Sequence, residues 1–323
     1  MSHLWPALIG AALGLPLVIY LAWRLARAWP RLSLRKRWLY GAALALLEAA
    51  YWLNVYAWLV EPNMLVVRRV TIESQDWHGA PLTIAALGDT HVGSPHVSVA
   101  RMERIVARVN ALNPDLVVLL GDYVGSHELQ SERSPRERAE AEGGIATFAS
   151  LSAPLGVIGV IGNHDVWYGR EAIAQAMTNA GVATLWNRNV VVERDGGDFV
   201  VAGLEDDKTG HPDFAAALDG APDIDTIVIS HSPDPFHDMP DGPALMIAGH
   251  SHCGQVTIPF FGRPITPLRY GQRYACHRVD ENGHIVYVTG GIGTSIAPVR
   301  FFNPPEIVLI TLRRSSVIPG QRS

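Results

Sequence analysis

Two histidines, His250 and His252, stand one residue apart in the segment AGHSHCGQV at residues 248–256. The four apolar residues just before it, ALMI at 244–247, are typical of a buried strand, so the pair lies where a strand runs into a loop. Side chains at positions i and i+2 of an extended backbone point the same way. One histidine there would suit an ordinary core position, whereas two neighbouring imidazoles suit a site for metal ions.

Other side chains that can ligate metals also follow apolar runs. They are Asp89 and His91 after LTIAALG, Asp122 after LVVLLG, Asn163 and His164 after LGVIGVIG, and His231 after TIVIS. Because open α/β sheets bind their ligands at the carboxyl ends of the strands, we expect these side chains to converge. Mixed nitrogen and oxygen donors suit manganese, iron or zinc better than calcium.

This ligand set is large enough for two ions. Without His164, seven side chains are available; a single ion cannot use them all, but two ions that share Asp122 as a bridge can. Two ions at roughly 3.5–4 Å hold the attacking and leaving oxygens of an in-line displacement at phosphorus. A water between them would ionise near neutral pH, so the set predicts phosphoester hydrolysis through attack by a metal-bridging hydroxide.

The elements that must position these residues form an α/β pattern from residue 81 onward. Helical spacing is predicted at 98–115 and 134–151, between apolar runs at 82–91, 116–123 and 155–165. Further apolar runs begin at Phe199, Thr226, Leu245, Ile285 and Glu306. Runs without alternation suit strands buried on both faces, so the pattern predicts a layered α/β domain.

The first sixty residues read as a membrane anchor. Two apolar stretches, 4–23 and 39–60, are about long enough to cross a bilayer. The second contains Glu48 and Asn54, so an amphipathic or buried helix is the alternative there. We predict an anchor at 1–62 with two transmembrane helices, a catalytic domain at 63–312 and a loose polar tail at 313–323.

The segment between the two apolar stretches predicts the orientation of the anchor. It carries six basic residues and no acidic one: Arg24, Arg27, Arg31, Arg35, Lys36 and Arg37. Short basic loops stay in the cytoplasm, so a hairpin would place both chain ends outside. We therefore expect the domain on the periplasmic or outer face of a bacterial inner membrane. The orientation reverses if the second stretch does not span.

Composition excludes two classes of protein. The formal net charge is −5, which argues against a nucleic-acid binder because such proteins carry a basic surface. The two cysteines, Cys253 and Cys276, can form at most one disulfide and cannot form a four-thiolate zinc site.

Five motifs in order, GDTH, GDY, GNHD, SHSPD and GHSH, resemble those of the calcineurin-like metallophosphoesterase superfamily. The resemblance implies a four-layer αββα sandwich with a dinuclear metal centre of manganese, iron or zinc. It implies that Asp89, His91 and His252 hold the first ion, that Asn163, His231 and His250 hold the second, and that Asp122 bridges them.

The same resemblance implies roles beside the metals. His164 would lie over the phosphate as electrostatic stabiliser or as acid to the leaving oxygen, and Asp165 would orient it. Arg300 follows the segment GGIGTS, where it could contact a substrate phosphate or form a surface salt bridge.

The segment GGIGTSIAPVRFFNPPEI at 290–307 and Gln255 are similar to a membrane-linked bacterial branch of this superfamily. That branch usually has glycine where this chain has Cys253. Its members resemble phosphodiesterases of envelope metabolites, and some resemble the pyrophosphatases that cleave UDP-2,3-diacylglucosamine. The likeness implies a membrane-anchored hydrolase of a lipid-linked or small phosphoester, with membrane lipids as its partners. The alternative is a catalytically silent membrane scaffold that keeps the fold for binding.

Overall fold

The computed structural model describes residues 5–125 and 127–316. Residue Leu4, at the start of the first predicted span, and residues 317–323 of the predicted tail lie outside the described residues. The remaining elements can be compared with the sequence-based expectations one by one.

Two helices form the N-terminal part of the chain. They are α1, Trp5–Ala28, and α2, Leu34–Val55. α2 continues through a π-helical turn, Tyr56–Val60, and a 3₁₀ turn, Glu61–Asn63. α1 lies against α2 where Gly14 faces the Tyr51 ring, since a Cβ placed on Gly14 would lie 2.7 Å from Tyr51 Cε2.

Among the described residues, one helix, Leu34–Asn63, is long and apolar enough to cross a membrane. Only 6% of its apolar window is buried, so it is not a core helix of the folded domain. It extends the predicted 39–60 stretch at its amino end because the basic residues Arg35, Lys36 and Arg37 also lie in helix. The pairing of α1 and α2 as a transmembrane hairpin stays a prediction.

The rest of the chain builds two six-stranded sheets. In chain order the strands are β1 (Val66–Ser74), β2 (Leu82–Leu87), β3 (Leu116–Leu119), β4 (Val157–Gly159), β5 (Ala183–Thr184), β6 (Arg188–Val192), β7 (Phe199–Gly203), β8 (Thr226–Ser230), β9 (Leu245–Ala248), β10 (His277–Glu281), β11 (His284–Val288) and β12 (Glu306–Arg314). The first sheet has the order β1-β12-β2-β3-β4-β5, and the second has the order β10-β11-β9-β8-β7-β6.

The central strands of both sheets run parallel. β2, β3, β4 and β5 are parallel neighbours, as are β7, β8 and β9. β12 lies antiparallel to β2, and β6 and β10 are antiparallel edge strands of the second sheet. The carboxyl ends of the parallel strands therefore meet at one end of each sheet, as the positions of the ligands require.

Three apolar cores hold four layers together. The middle core lies between the sheets and includes Ile84, Ile227 and Ile310. The helices α3 (Val99–Asn110), α4 (Pro135–Ala146) and α5 (Asn163–Asn179) cover the first sheet over a second core. The short helix α6 (Phe214–Leu218) covers the outer face of the second sheet together with loop residues such as Phe236 and Tyr274. The predicted αββα sandwich is confirmed, with a thin fourth layer.

The helix starts follow the predicted capping signals. The Ser98 side chain accepts from the Arg101 amide at the start of α3. At the start of α4, the hydroxyl of Ser134 accepts from the Glu137 amide while the Glu137 carboxylate accepts from the Ser134 amide. α4 then gives way to a 3₁₀ turn, Thr147–Ser150, so the predicted helix at 134–151 is shorter than expected.

The strands are also shorter than the apolar runs predicted. β3 ends at Leu119 rather than at Tyr123, and Asn163, placed in a strand by the pattern, begins α5. Gly121 and Asp122 have φ values of 85° and 54°, and a left-handed backbone cannot continue a strand. The residues that could hold metals therefore lie one to five residues after the strand ends, in loops or, for Asn163, at the first residue of α5.

The middle core generates a stability prediction. Ile310 is fully buried between the sheets, so we expect Ile310→Ala to lower the free energy of unfolding by about 2–5 kcal/mol. Ile224→Ala removes the same atoms from a side chain that is 38% exposed. It should change the free energy of unfolding by less than about 1 kcal/mol. Denaturant titration of the full chain in detergent measures both, and equal effects would contradict the position of this core.

Candidate metal centre

The structure brings the seven candidate ligands into one buried cluster. Asp89, His91, Asp122, Asn163, His231, His250 and His252 come from loops after β2, β3, β4, β8 and β9, and all are buried. Their potential ligand atoms include two groups, and within each group the atoms lie within 4.8 Å of one another. The first group is Asp89, His91 and His252, and the second is Asp122, His231 and His250. Loops far apart in the chain thus supply a single site.

The first group is centred on two imidazoles that face each other. Nε2 of His91 lies 3.0 Å from Nε2 of His252, and Nε2 of His252 lies 3.5 Å from Oδ1 of Asp89. Two neutral imidazole nitrogens repel at this distance unless a proton or a cation lies between them. The arrangement fits the ligands of one divalent ion, because donor atoms around a common ion lie about 3 Å apart.

The second group repeats this arrangement around His231. Its Nε2 lies 3.3 Å from Oδ2 of Asp122, 3.1 Å from Nδ1 of His250 and 3.2 Å from Oδ1 of Asn163. Oδ2 of Asp122 also lies 3.7 Å from Nε2 of His91 in the first group. Asp122 therefore stands between the two groups, where a bridging carboxylate would be needed.

Most of these loops have a left-handed backbone at the ligand itself. The φ values are 52° for Asp89, 44° for His91, 54° for Asp122, 64° for His250 and 48° for His252. Such values are rare for residues other than glycine and persist only where the surroundings impose them. The clustering of this strain at the candidate ligands marks the place where the fold holds its side chains against backbone preference.

Two glycines let the Asp122 and Asn163 loops approach each other. A Cβ on Gly121 would lie 2.5 Å from the Gly162 amide nitrogen, and one on Gly162 would lie 2.3 Å from Oδ1 of Asp122. Neither position has room for a side chain. The glycine of GDY and the glycine of GNHD are thus required by a contact between their own two loops.

Hydrogen bonds orient the ligands within the cluster. Nδ1 of His231 lies 2.7 Å from the Leu120 carbonyl oxygen, which can only accept, so Nδ1 carries the proton and Nε2 is left for a metal. The amide of His250 donates to both carboxylate oxygens of Asp89, at 3.0 and 3.1 Å. The amide of His164 donates to Oδ1 of Asp122 at 2.9 Å.

Burial sets the protonation states of the site. Burial lowers the pKa of His91 and of His250 to about 3, helped by the neighbouring histidines His164 and His231, so both rings are neutral. Burial raises the pKa of Asp89 to about 7. Two ligands are thus neutral bases in advance, while Asp89 must lose a proton near neutral pH to bind a cation.

Asp122 and His231 form an oppositely charged pair. Burial alone would raise the pKa of Asp122, but the facing His231 and His164 hold it well below its usual range. Burial alone would lower the pKa of His231, but Asp122 raises it well above its usual value. Without a cation, the proton on His231 balances the carboxylate. A metal ion would take over that role.

His164 lines an open pocket next to the cluster. The pocket has a volume of about 170 Å³, and its lining includes His91, His127 and Ser295. Nε2 of His164 lies 3.4 Å from Oγ of Ser295 and 4.0 Å from Oδ2 of Asp122. His164 also forms a group of potential ligands with His91 and Asp122, whose ligand atoms lie within 4.8 Å of one another.

Sequence reasoning did not single out His127, which lines the same pocket. Its ring centroid lies 4.4 Å from that of His164 and 4.9 Å from that of Trp167, and His127 lines the pocket together with His164. Burial, followed by repulsion from His164, lowers the pKa of His127. Its position five residues after Asp122, in the same loop, was the signal that could have identified it.

The Asp165 carboxylate accepts from the backbone amides of Tyr123, Val124 and Gly162. These bonds fasten the loop that carries Asp122 to the start of α5. The role of Asp165 in orienting His164 stays a prediction.

Arg300 is fully buried, and its guanidinium donates to the backbone carbonyls of Gly290, Gly293 and Asn303. Within residues 5–125 and 127–316 it forms no ion pair with a carboxylate, and its contact with a substrate phosphate stays a prediction. Arg300 holds together the glycine-rich segment that packs against Asp89, where a Cβ on Gly291 would lie 2.7 Å from Asp89 Cβ.

Cys253 forms a disulfide with Cys276. The sequence allowed at most one disulfide, and the structure forms it. Because Cys253 directly follows His252, the disulfide ties the first group of ligands to the strand that begins at His277.

The region that contains the candidate metal centre is similar to that of known proteins. A family profile described as calcineurin-like phosphoesterase matches residues 82–254, which is more than half of the chain. The matched region begins with β2 and ends just after His252, so it contains every residue of the two ligand groups.

Three characterised or named relatives are similar over most of this chain. The phosphodiesterase YaeI of Escherichia coli (strain K12) is 26% identical over 265 residues, covering 80% of this chain and 92% of the relative. A transmembrane protein with metallophosphoesterase domain from Danio rerio is 30% identical over 274 residues, covering 79% of this chain and 58% of the relative. The UDP-2,3-diacylglucosamine pyrophosphatase LpxG of Chlamydia muridarum is 25% identical, covering 79% and 92%.

Protonation of the cluster generates a prediction for metal binding. Since the pKa of Asp89 is about 7, protons compete with metal below that pH, and Mn²⁺ affinity should fall as pH drops. We expect a loss of roughly tenfold or more between about pH 8 and about pH 6, with net proton release on binding. Calorimetric titration in buffers of different ionisation enthalpy measures both.

The exposed carboxylate Asp195 offers a matched control, because Asp195→Asn removes a charge without touching the cluster. That variant should keep the full pH dependence. An affinity for Mn²⁺ that stays constant across this pH range would contradict the protonated state of Asp89.

Proposed function

The chain belongs to the calcineurin-like phosphoesterase family, and we propose that it is a membrane-anchored hydrolase that uses two divalent metal ions to cleave a phosphodiester or pyrophosphate bond of a lipid-linked substrate. The family makes it a phosphoric ester hydrolase, and its relatives include a named phosphodiesterase and a named pyrophosphatase. The number of ions, the roles of single residues and the lipid substrate are the parts that we propose.

One observation carries the proposal of two ions: Asp122 lies between two groups of buried nitrogen and oxygen donors. Asp89, His91 and His252 would hold one ion, and Asn163, His231 and His250 would hold the other, with Asp122 shared. A single ion would leave one group with uncompensated buried donors, which is costly. Manganese, iron and zinc all accept this donor set.

When bound, two such ions make water a nucleophile at neutral pH and neutralise the oxygens of the phosphoryl group. The residues of the chain do the rest. Asp122 and the ligand histidines hold the ions in a buried site, where electrostatic interactions are stronger than in water. The amide of His164, bonded to Asp122, fixes the start of α5 and with it the direction of the His164 ring.

His164 is the residue that we assign to the substrate. It lies at the edge of the ligand cluster, and it lines the pocket together with His91 and Ser295. From there its imidazole can donate to a phosphoryl oxygen or give a proton to the leaving oxygen. His127 and Trp167 pack beside it and restrict its rotation.

A lipid-linked substrate is supported by the attachment of the domain to α2. The helix Leu34–Asn63 ends directly at the first strand of the domain, which begins at Val66. The relative LpxG is named for a lipid-linked substrate, and the relative from Danio rerio is named a transmembrane protein. The net charge of −5 makes nucleic acid an unsuitable substrate.

Two independent features support the outer face of the membrane. The basic residues of the segment between α1 and α2 favour the cytoplasm, which places the end of α2 on the opposite side. The disulfide between Cys253 and Cys276 is typical of an oxidising compartment. We therefore propose that the domain faces the periplasm or the cell exterior.

Metal dependence tests the catalytic part of the proposal. Full-length protein stripped by a chelator should lose hydrolysis of a chromogenic phosphodiester and regain it with Mn²⁺. Activity that is indifferent to chelation would count against a metal-dependent mechanism.

Three variants separate ligands from the substrate-facing histidine. Asn163→Ala and His250→Ala should lose metal content and reduce the rate by orders of magnitude, because each removes a donor to an ion. His164→Ala should keep both ions while its rate falls by about 10²-fold. Elemental analysis together with kcat measures this, and loss of an ion in His164→Ala would make His164 a ligand instead.

A topology reporter tests the orientation. Alkaline phosphatase fused after Ser323 should be active, because it folds only outside the cytoplasm, and a green fluorescent fusion at the same position should be dark. The opposite pair of results would place the domain in the cytoplasm, where the disulfide would be reduced.

A further inference from the structure

Five large apolar side chains project into solvent from the segments 260–265 and 296–302. They are Phe260 (105% exposed), Phe261 (81%), Ile265 (75%), Ile296 (87%) and Phe302 (62%), and we call them the apolar rim. Single exposed apolar residues are ordinary, but a group of this size on adjoining loops marks an interaction surface.

The loops that carry the rim form one surface. The amide of Thr257 donates to the Phe301 carbonyl at 2.8 Å, and the amide of Phe301 donates to the Gln255 carbonyl at 3.0 Å. The Gln255 side chain donates to the Ala297 carbonyl and accepts from the Ser295 amide. The segments 255–265 and 295–302 are therefore fastened together rather than free to separate.

The rim residues are held outward by their backbone. Phe260, Ile296 and Phe302 have φ values of 71°, 61° and 52°, which aromatic and β-branched residues rarely adopt. Phe260 and Phe261 form the tip of a tight turn closed by hydrogen bonds in both directions between Ile258 and Gly262. Strain of this kind is kept where it serves a function.

The rim lies next to the end of the candidate membrane helix. The amide of Arg300 donates to the Ala57 carbonyl at 2.9 Å, in the last turns of that helix. The buried carboxylate of Glu61 accepts from the amides of Phe302 and Asn303. Residues 300–303 thus connect the point where the helix leaves the bilayer to the loop that carries Ile296 and Phe302.

The rim also borders the catalytic pocket. Ile296 lines the pocket together with His91 and His164. The Asn303 side chain, one residue after Phe302, donates to the carbonyl of His252 in the first group of ligands. The pocket therefore opens on the same side of the molecule as the rim.

The charges around the rim suit an anionic lipid surface. The chain has no acidic residue between Asp241 and Asp280, a stretch that contains the Phe260–Phe261 turn. Arg263, two residues after Phe261, is half-buried and forms no ion pair with a carboxylate among the described residues. A basic residue beside exposed aromatic side chains is the usual composition of a surface that rests on a bilayer.

We propose that the apolar rim inserts into the boundary between headgroups and acyl chains of the membrane that Leu34–Asn63 crosses. The mouth of the pocket then lies at the headgroup level, and a lipid phosphoester enters His164 and the metal ligands from the side without leaving the bilayer. This inference rests on the proposed function for its substrate, but the membrane contact of the rim can be tested by itself.

Photo-crosslinking of the full-length protein tests the contact. Benzoylphenylalanine replaces Phe260 in one sample and Ile224 in another, both in vesicles of phosphatidylethanolamine and phosphatidylglycerol. Ile224 is exposed but precedes β8, at the end of the sheet opposite to the ligands. We expect mass spectrometry to find lipid adducts at position 260 in at least about tenfold excess over position 224. Equal yields, or adducts to a second copy of the chain, would overturn the proposal.

A double variant tests the energetic role of the rim. With the probe at position 302, Phe260→Asp combined with Phe261→Asp should lower the yield of lipid adducts by about tenfold, because carboxylates are repelled by anionic headgroups. Ile224→Asp should not lower it. Hydrolysis of bis(p-nitrophenyl) phosphate by the double variant should be unchanged, which shows that it is folded. An unchanged adduct yield in the double variant would overturn the proposal.

The crosslinking test of the rim and the hydrolysis test of the proposed function can fail independently of each other. A wild-type protein that hydrolyses the soluble diester with Mn²⁺ but gives no lipid adducts at position 260 overturns the rim and leaves the proposed function intact. Adducts at position 260 in a protein that shows no metal-dependent hydrolysis support the rim and overturn the proposed function.

Discussion

The rest of this structure depends on one electrostatic constraint: a buried carboxylate, Asp122, lies among imidazoles that have little access to water. Charges in such a place are costly unless they are balanced, so the protein must supply a proton or a cation at the position between them. The positive charge on His231 meets this need in the absence of metal. The strained loops and the Gly121–Gly162 contact hold the residues of this cluster close together.

A second level of organisation connects the cluster to the membrane end of the chain. Glu61 holds the amides of Phe302 and Asn303, and Asn303 in turn holds the carbonyl of His252. Arg300 fills the space between them with bonds to backbone carbonyls. The end of helix Leu34–Asn63 is thus bonded to the segment that supports His252, so the orientation of the pocket relative to this helix is set by the fold.

The comparison of prediction with structure shows where sequence reasoning stops. The positions of Asp89, Asp122 and His250 were predictable because each follows an apolar run, and strand ends converge in an α/β sheet. The partners of Asp165 and Arg300 were not predictable. Asp165 binds the amide of Tyr123, 42 residues away, while Arg300 binds carbonyls within ten residues, and both sets of bonds depend on how the loops turn in space. His127 was missed because it follows no strand and reaches the pocket only through the path of a loop.

By itself, the sequence determined the alternation of strands and helices, the chemical types of the ligands and the two apolar stretches before the domain. These are local properties, because periodicity and residue type are carried by neighbours along the chain. Tertiary structure alone decided that Asp122 stands between two groups of ligands and that Cys253 pairs with Cys276. It also decided that Glu61 binds the amide of Asn303, whose side chain binds the carbonyl of His252. Each of these is a contact between segments separated by many residues, and only the packing of the two sheets and their loops brings such segments within bonding distance.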